Sequence, residues 1–399
     1  MKKFLKWTLF ISLAILVAMA VIIRFAIPPL FKSVAEDKLA KLGYPAKIQL
    51  KLQYGWEYGP TIDGAMGIRL NNSPWQLDAN FGAAWGKWHA KVDMPETAFS
   101  EQDPLLQKLL TDYPVNAVSN LVFSGKISLQ ASVERTRDVP VPVWTAKLPI
   151  REVCASMISN NKPISISNLS ITPGASGIAK HFDIHPMFPR IASANAEGFT
   201  LTNIFAAVRA TENSLLVTEA GAGICGGKVS VYSMFLDTQK LNTGLTLFFD
   251  EIDANQLMSH LSAFHGSASG RLHGKAKLFI REGGKGVRLS DAFLYSMPGE
   301  IGKLQIADDE VISDNLAMAG LDEATRDNVA NALTDLDYSV LRFNLRRLDG
   351  NLAALETQIK GTATRGSISA PVDISLTING ELEQLINIGL NLPKKGTKR

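Results

Sequence analysis

Cysteine is close to absent from this chain: Cys154 and Cys225 are the two among 399 residues. No disulfide framework therefore holds the fold, and its core must come from apolar burial. In an exported chain the two either pair or stand as separate buried thiols, and spacing alone does not decide between these. An excess of one charge is missing too. Lysine and arginine number 41 against 38 acidic residues, giving a net charge of +3 with 20% of residues charged. That composition offers nucleic acid no basic field and carries no acidic tail.

Catalytic and cofactor signatures are also lacking. Gly221-Ala222-Gly223-Ile224-Cys225-Gly226 fits the spacing of a dinucleotide fingerprint, but that loop has to open a helix. Here Lys228 to Tyr232 reads as a strand, which predicts a hairpin turn instead. Gly227-Lys228 is no phosphate loop, since Ala222 stands where its first glycine belongs and Val229 where Ser or Thr belongs. His181 and His185 flank Asp183 at a spacing that suits a metal on a helix, yet Pro186 follows and the helix signal is poor. His260, His265 and His273 are spread over predicted helix, loop and strand. Asp250, Glu251 and Asp253 could pose as paired carboxylates, but acids at a helix start satisfy free N–H groups and the dipole, which is the simpler reading. Ala268 between Ser267 and Ser269 breaks any nucleophile elbow. The expectation is a protein that is not an enzyme, with no catalytic, cofactor or metal residues.

What the chain does have is β-alternation, sustained almost end to end. Val372, Ile374, Leu376 and Ile378 point one way while Asp373, Ser375, Thr377 and Asn379 point the other. Leu121, Phe123, Ile127, Leu129 and Val133 alternate likewise with Ser124, Lys126, Ser128, Gln130 and Glu134. Successive side chains of a strand face opposite sides, so each stretch makes a sheet with one greasy and one wet face. The greasy faces either pack on each other as a sandwich core or line an apolar trough.

The alternation begins behind a single apolar run. Trp7 to Ile23 carries no charge; Lys2, Lys3 and Lys6 precede it and Arg24 follows. Its length is at the short end for a membrane helix, and the lysine excess places the N-terminus in the cytoplasm and the remaining chain outside it. The rival is a cleaved signal peptide, because Ala18-Met19-Ala20 resembles a cleavage site. The uninterrupted Val21-Ile22-Ile23 favours the uncleaved anchor.

Pro28-Pro29 then predicts a short helix ending near Gly43. From Ile48 to Met94 a meander follows, with turn signals roughly every ten residues. Asp103-Pro104 opens a short helix closed before Pro114, and a strand spans 121–134. Pro140, Pro142 and Pro149 make 138–149 an extended connector or an edge. Residues 173–198 hold no clear period and read as a loop or boundary. Strands resume from 199 to 379, interrupted by helices at Asp253, at 321–337 and at 381–390, and 393–399 form a basic disordered tail. Trp56, Trp75, Trp85, Trp88 and Trp144 are expected to pack in the core, with a ligand path or the membrane surface as alternatives.

The order of the later segments is distinctive. Asp250-Glu251-Ile252-Asp253-Ala254-Asn255-Gln256-Leu257 leads to Gly266-Ser267-Ala268-Ser269-Gly270-Arg271-Leu272-His273-Gly274. Tyr295-Ser296-Met297-Pro298-Gly299, Leu336-Asp337-Tyr338 and Leu348-Asp349-Gly350-Asn351-Leu352 follow, and Pro371-Val372-Asp373-Ile374-Ser375-Leu376 closes the series. This order resembles the C-terminal domain of YdbH-type proteins, a branch of the AsmA-like envelope family once labelled a "dicarboxylate transport" domain. The resemblance covers about 199–392. One departure is Lys360 to Gly366, which stands where such proteins carry an Asn-Pro. The resemblance implies an elongated β-sheet curled into an apolar trough that passes phospholipid between inner and outer membranes.

The expected architecture is mainly β: an N-terminal transmembrane helix, then an elongated antiparallel sheet or trough with a few short helices. Its segments are 1–27 (anchor), 28–198 (β-rich), 199–392 (YdbH-like) and 393–399 (tail). The expected place is the inner membrane, single-pass, with the bulk periplasmic. Lipid and membrane are the expected partners, with no nucleic acid. The lipid path would run over Leu121, Phe123, Ile127, Leu129, Val372, Ile374, Leu376 and Ile378. The competing reading is an envelope scaffold that binds an outer-membrane or periplasmic protein along an edge strand.

Overall fold

The computed structural model describes residues 27–381, apart from 42–44, 57–59, 72, 105–106, 108–120, 140, 160–161, 179–180, 197–198, 212–213, 238–241, 260–265, 281–286, 307–321, 349–351 and 366–367. The chain divides into two compact units, Met1–Asn161 with Ser165–Pro189, and Lys162–Ile164 with Arg190–Arg399. The apolar run Trp7–Ile23, the 382–390 part of the last predicted helix and the basic tail lie outside the described residues. So does most of the helix expected after Asp103. Among the described residues no helix is long and apolar enough to cross a membrane.

The first unit opens with helix α1 (Ile27–Lys41), as the two prolines predict. Glu36 of α1 accepts a hydrogen bond from the Ile48 amide at 2.7 Å, which holds the helix against the first strand. Strands β1 (Ala46–Trp56), β2 (Pro60–Leu70), β3 (Gln76–Ala84), β4 (Lys87–Ser100) and β5 (Val122–Arg135) pair antiparallel in sequence order. The long β5 then serves two partners. β6 (Val143–Lys147) pairs with its later half and β7 (Ile150–Ser159) with its earlier half. After β8 (Lys162–Ile171), β9 (Gly174–Ile178) pairs with β6 and with β10 (His181–Ile184).

Two expectations fail in this unit. The proline-rich connector contains β6, hydrogen-bonded on both sides. Pro142 and Pro149 bracket the short strand without entering it, so no ladder donor is lost. The loop expected from 173 onward is strand as well, with β9, β10 and, in the second unit, β11 (Arg190–Ala196), and the division between the two units falls inside this stretch, between Pro189 and Arg190. Gly174-Ala175-Ser176-Gly177 has too little hydrophobic contrast to show a period, yet small residues suit a closely packed ladder.

In the second unit β11 pairs with β12 (Phe199–Ala210), and β13 (Ser214–Ile224), β14 (Gly227–Asp237) and β15 (Thr243–Asp253) continue the order. Past β15 come β17 (Arg271–Ile280), β18 (Val287–Ser296), β20 (Leu336–Arg347), β21 (Leu352–Arg365) and β22 (Ile368–Glu381), each antiparallel to its neighbour. The short β16 (Gly266–Ala268) pairs with β19 (Gly302–Ile306), which also pairs with the start of β20. The glycine fingerprint is a two-residue hairpin turn joining β13 to β14. Cys225 (φ 46°) and Gly226 (φ 68°) both take the left-handed conformation that such a turn demands.

Helix α2 (Ala254–Ser259) starts where the acids predict, but one of them makes the start. Asp253 Oδ1 accepts from the Gln256 amide at 2.9 Å, an N-cap. Asp250 and Glu251 instead belong to β15, with Glu251 (φ 54°) on a bulge between Phe249 and Ile252. Asp253→Ala is expected to cost about 1 kcal/mol in urea unfolding, whereas Asp253→Asn, which keeps an acceptor, is expected to cost little. Helix α3 (Glu323–Leu333) is shorter than the 321–337 expected, because Leu336 opens β20. It is fully buried there; its apolar side chain serves a strand and not a helix face.

These helices and strands close a core. Ile252, Leu272, Leu304, Leu333, Leu336, Tyr338 and Leu341 form one buried cluster, with Met258 of α2 and Val329 of α3 packed on it. Tyr338 sits at 1% exposure with its hydroxyl donating to the Ser269 carbonyl at 2.5 Å. A Cβ on Gly302 would fall 2.1 Å from its ring, so glycine is what lets the ring seat.

Candidate functional site

The ladder register sorts the first unit's side chains onto two chemically opposite faces. One row across β1–β2–β3–β4–β5–β6–β9–β10 reads Leu50, Met66, Ala79, Val92, Ala131, Ala146, Ala175, Ile184. The row one residue away reads Lys51, Ala65, Asn80, Lys91, Ser132, Thr145, Ser176, Asp183. Eight strands thus share one apolar side, about 34 Å across at roughly 4.8 Å per strand step.

That apolar side is not a closed core. Every member of the first row is half-buried. The apolar side chains buried among the described residues of this unit are Ala46, Ile48 and Met94. A facing sheet about 10 Å away would take the whole row out of water. Several rings on this face cover cross-strand glycines. A Cβ on Gly64 would meet the Phe81 ring at 2.2 Å, one on Gly125 the Phe99 ring at 2.8 Å, and one on Gly177 the Trp144 ring at 2.8 Å. The rings cover bare backbone and keep the floor low. On the opposite face ion pairs cross between strands, as with Lys126 and Glu152 at 2.7 Å. That carboxylate holds the Lys126 ammonium above its usual range.

The second unit has a comparable apolar row, although part of that side is closed by the buried cluster. Its apolar row across β12–β13–β14–β15–β17–β18–β20–β21–β22 reads Ala206, Ala220, Val231, Leu247, Ala276, Ala292, Leu345, Leu355, Ile378. Apart from buried Ala276, the described side chains of this row are again half-buried. The neighbouring row runs Ser230, Phe248, Lys275, Phe293, Asn344, Glu356 and Thr377 from β14 to β22. Lys360 and Asp373 pair across β21 and β22 on this wet side at 2.8 Å.

The predicted path residues fall into two groups. Phe123, Ile127 and Leu129 sit on the open apolar side of β5, with half-buried Leu121 just before it; Phe123 and Phe99 have ring centroids 6.2 Å apart. Val372 and Ile374 are partly buried and pack against the buried cluster of the second unit. Leu376 and Ile378 register with Thr357 and Leu355, and their side chains lie outside the described residues. Periodicity missed Ala146, Ala175 and Ile184, which lie on strands too short or too small-sided to show it.

Core packing is overturned for two tryptophans. Trp56 is 80% and Trp85 72% exposed, because one ends β1 and the other sits in the β3–β4 turn. Trp75, Trp88 and Trp144 are half-buried.

The polar candidates have structural partners. His185 Nε2 lies 2.9 Å from Ser176 Oγ, while His181 is exposed on β10. His273 is buried, its Nδ1 2.8 Å from Asp250 Oδ1. His260 and His265 lie outside the described residues. Among the described residues no group of three or more His, Cys, Asp and Glu side chains could hold a metal ion. Cys154 is an exposed free thiol on β7. Cys225 is a buried one whose pKa is pushed up by burial and then by the Asp253 charge.

No curated protein and no solved structure matches this chain. A family model does, over residues 179–388, which is just over half of the chain. Its description is "intermembrane phospholipid transport protein YdbH". The chain belongs to the YdbH-like family.

Proposed function

We propose that the apolar faces hold phospholipid acyl chains and let them slide across successive strands, moving lipid between the two membranes of a cell envelope without catalysis. The observation that carries this reading is the apolar row of half-buried side chains, eight strands long in the first unit, with a polar row one residue away. Such a face is unfavourable in bare water. Each acyl CH₂ laid on it gains roughly 0.8 kcal/mol. Transfer then needs a continuous greasy lane and no specific ligand group, while head groups stay in water. Trp7–Ile23 would anchor the chain in the inner membrane with its N-terminus cytoplasmic and its body periplasmic. The family description of a phospholipid transporter supports the same reading.

Neighbouring positions on β4 provide the test. A photo-crosslinking residue at Val92 faces the apolar side and one at Lys91 the polar side. Irradiated in cells, position 92 is expected to give a phospholipid adduct and position 91 none. Equal labelling at both, or at neither, would count against a lipid lane.

A further inference from the structure

One end of the first unit's sheet brings two exposed tryptophans together with other exposed apolar side chains and cations. The register places Tyr54, Ile62, Ala83, Trp88 and Arg135 side by side, and Glu134, Val143 and Ile178 continue across β5, β6 and β9. The described residues at and beyond this line form a single rim. On it stand Trp56 at 80% exposure, Trp85 at 72%, Ile178 at 55%, Val139 at 44% and Val141 at 38%. Lys87, Arg135 and Arg137 are exposed among them, against the acids Glu134 and Asp138. At the opposite end of the same strands Trp75 is half-buried, and its indole N–H donates to Asp103 at 2.6 Å.

Large apolar residues left this far in water on one rim mark a contact surface. Tryptophan with aliphatic neighbours suits the boundary between lipid tails and head groups, where an apolar ring body and a polar N–H are both satisfied. Arginine and lysine beside it complement lipid phosphates. A water-exposed head group in transit would leave the valines and isoleucine uncovered, whereas a bilayer surface covers them.

We propose that this rim docks the first unit on the surface of a phospholipid bilayer, with Trp56 and Trp85 inserted at the head-group boundary and the cations on anionic lipid phosphates. This does not depend on lipid being carried along the apolar face.

The full chain, reconstituted in phosphatidylethanolamine–phosphatidylglycerol vesicles with acyl chains brominated, tests it through tryptophan quenching. Trp7 adds the same background to every variant, out of six tryptophans in all. Trp56→Phe/Trp85→Phe is expected to cut the quenched share of emission to about half that of the parent. Arg135→Glu/Arg137→Glu is expected to reduce it only when phosphatidylglycerol is present. Quenching unchanged by the tryptophan pair would overturn the proposal. A loss of quenching in step with carried lipid in Leu129→Glu would assign these rings to the lipid lane and overturn it too. Loss of carried lipid with quenching intact leaves the rim standing and removes the transport reading alone.

Discussion

Leu129→Glu is expected to lower phospholipid uptake by the full chain about 100-fold while leaving it folded. Leu129 lies on the open side of β5, opposite Met94 and two residues from Ala131 of the apolar row. A carboxylate there keeps its water shell and holds acyl carbons away from the floor. If about four CH₂ groups lose contact, roughly 3 kcal/mol of binding is lost at 0.8 kcal/mol each, which is about two decades in affinity. The folding cost is expected to be smaller, about 1 kcal/mol, because Leu129 is half-buried and not enclosed, so a glutamate there can carry its carboxylate out to water. Gln130→Glu, one residue along and on the wet side, is the control and should alter neither quantity. Titration of delipidated protein with a fluorescent phospholipid, beside a melting curve, reads both. Unfolding of Leu129→Glu with no separable loss of uptake would mean that the face is a core after all.

Tyr338→Ala is expected to have the opposite signature, a large loss of stability that reaches lipid uptake only through unfolding. The ring is 1% exposed in the buried cluster. Truncating a buried aromatic of this size costs about 3–5 kcal/mol. Gly302→Ala attacks the same contact from the other side, since its Cβ would fall 2.1 Å from the ring and 2.6 Å from the Ser269 carbonyl, which is backbone and yields little. About 1–3 kcal/mol is expected for that overpacking. Burial pushes the Tyr338 hydroxyl up to about 12, with the Glu300 and Asp253 charges adding to the shift. A raised acid is favoured neutral in the fold. Its contribution is therefore complete below about pH 10 and is lost as pH climbs through about 12. Tyr338→Phe should remove that alkaline slope from urea-unfolding data.

Much of the fold can be read from residue order because its strands have two unlike faces. The meander of β1 to β5 and the run from β12 to β22 show polar–apolar alternation, and period two fixes which side each residue takes. The stretch between them is silent for a physical reason. Ala146, Ala175, Gly174 and Gly177 pack in a ladder without contrasting in hydrophobicity, and Pro142 and Pro149 look like breakers although they only bound β6. Leu336 continues a helical apolar spacing until the chain has already turned into β20. The site is legible as a face and not as an environment. Whether Phe123 and Leu129 border water or another sheet depends on what lies opposite them. The same limit applies to Val372 and Ile374, which share their pattern and pack against a buried cluster. Trp56 and Trp85 carry no signal for exposure, because that follows from where a strand ends.

Native mass spectrometry of the full chain, released from membranes in mild detergent, tests the open apolar face most directly. The chain is expected to carry one or more phospholipids and to recover them from vesicles after delipidation. A bare mass that stays bare after incubation with phosphatidylethanolamine–phosphatidylglycerol vesicles would contradict the lipid lane.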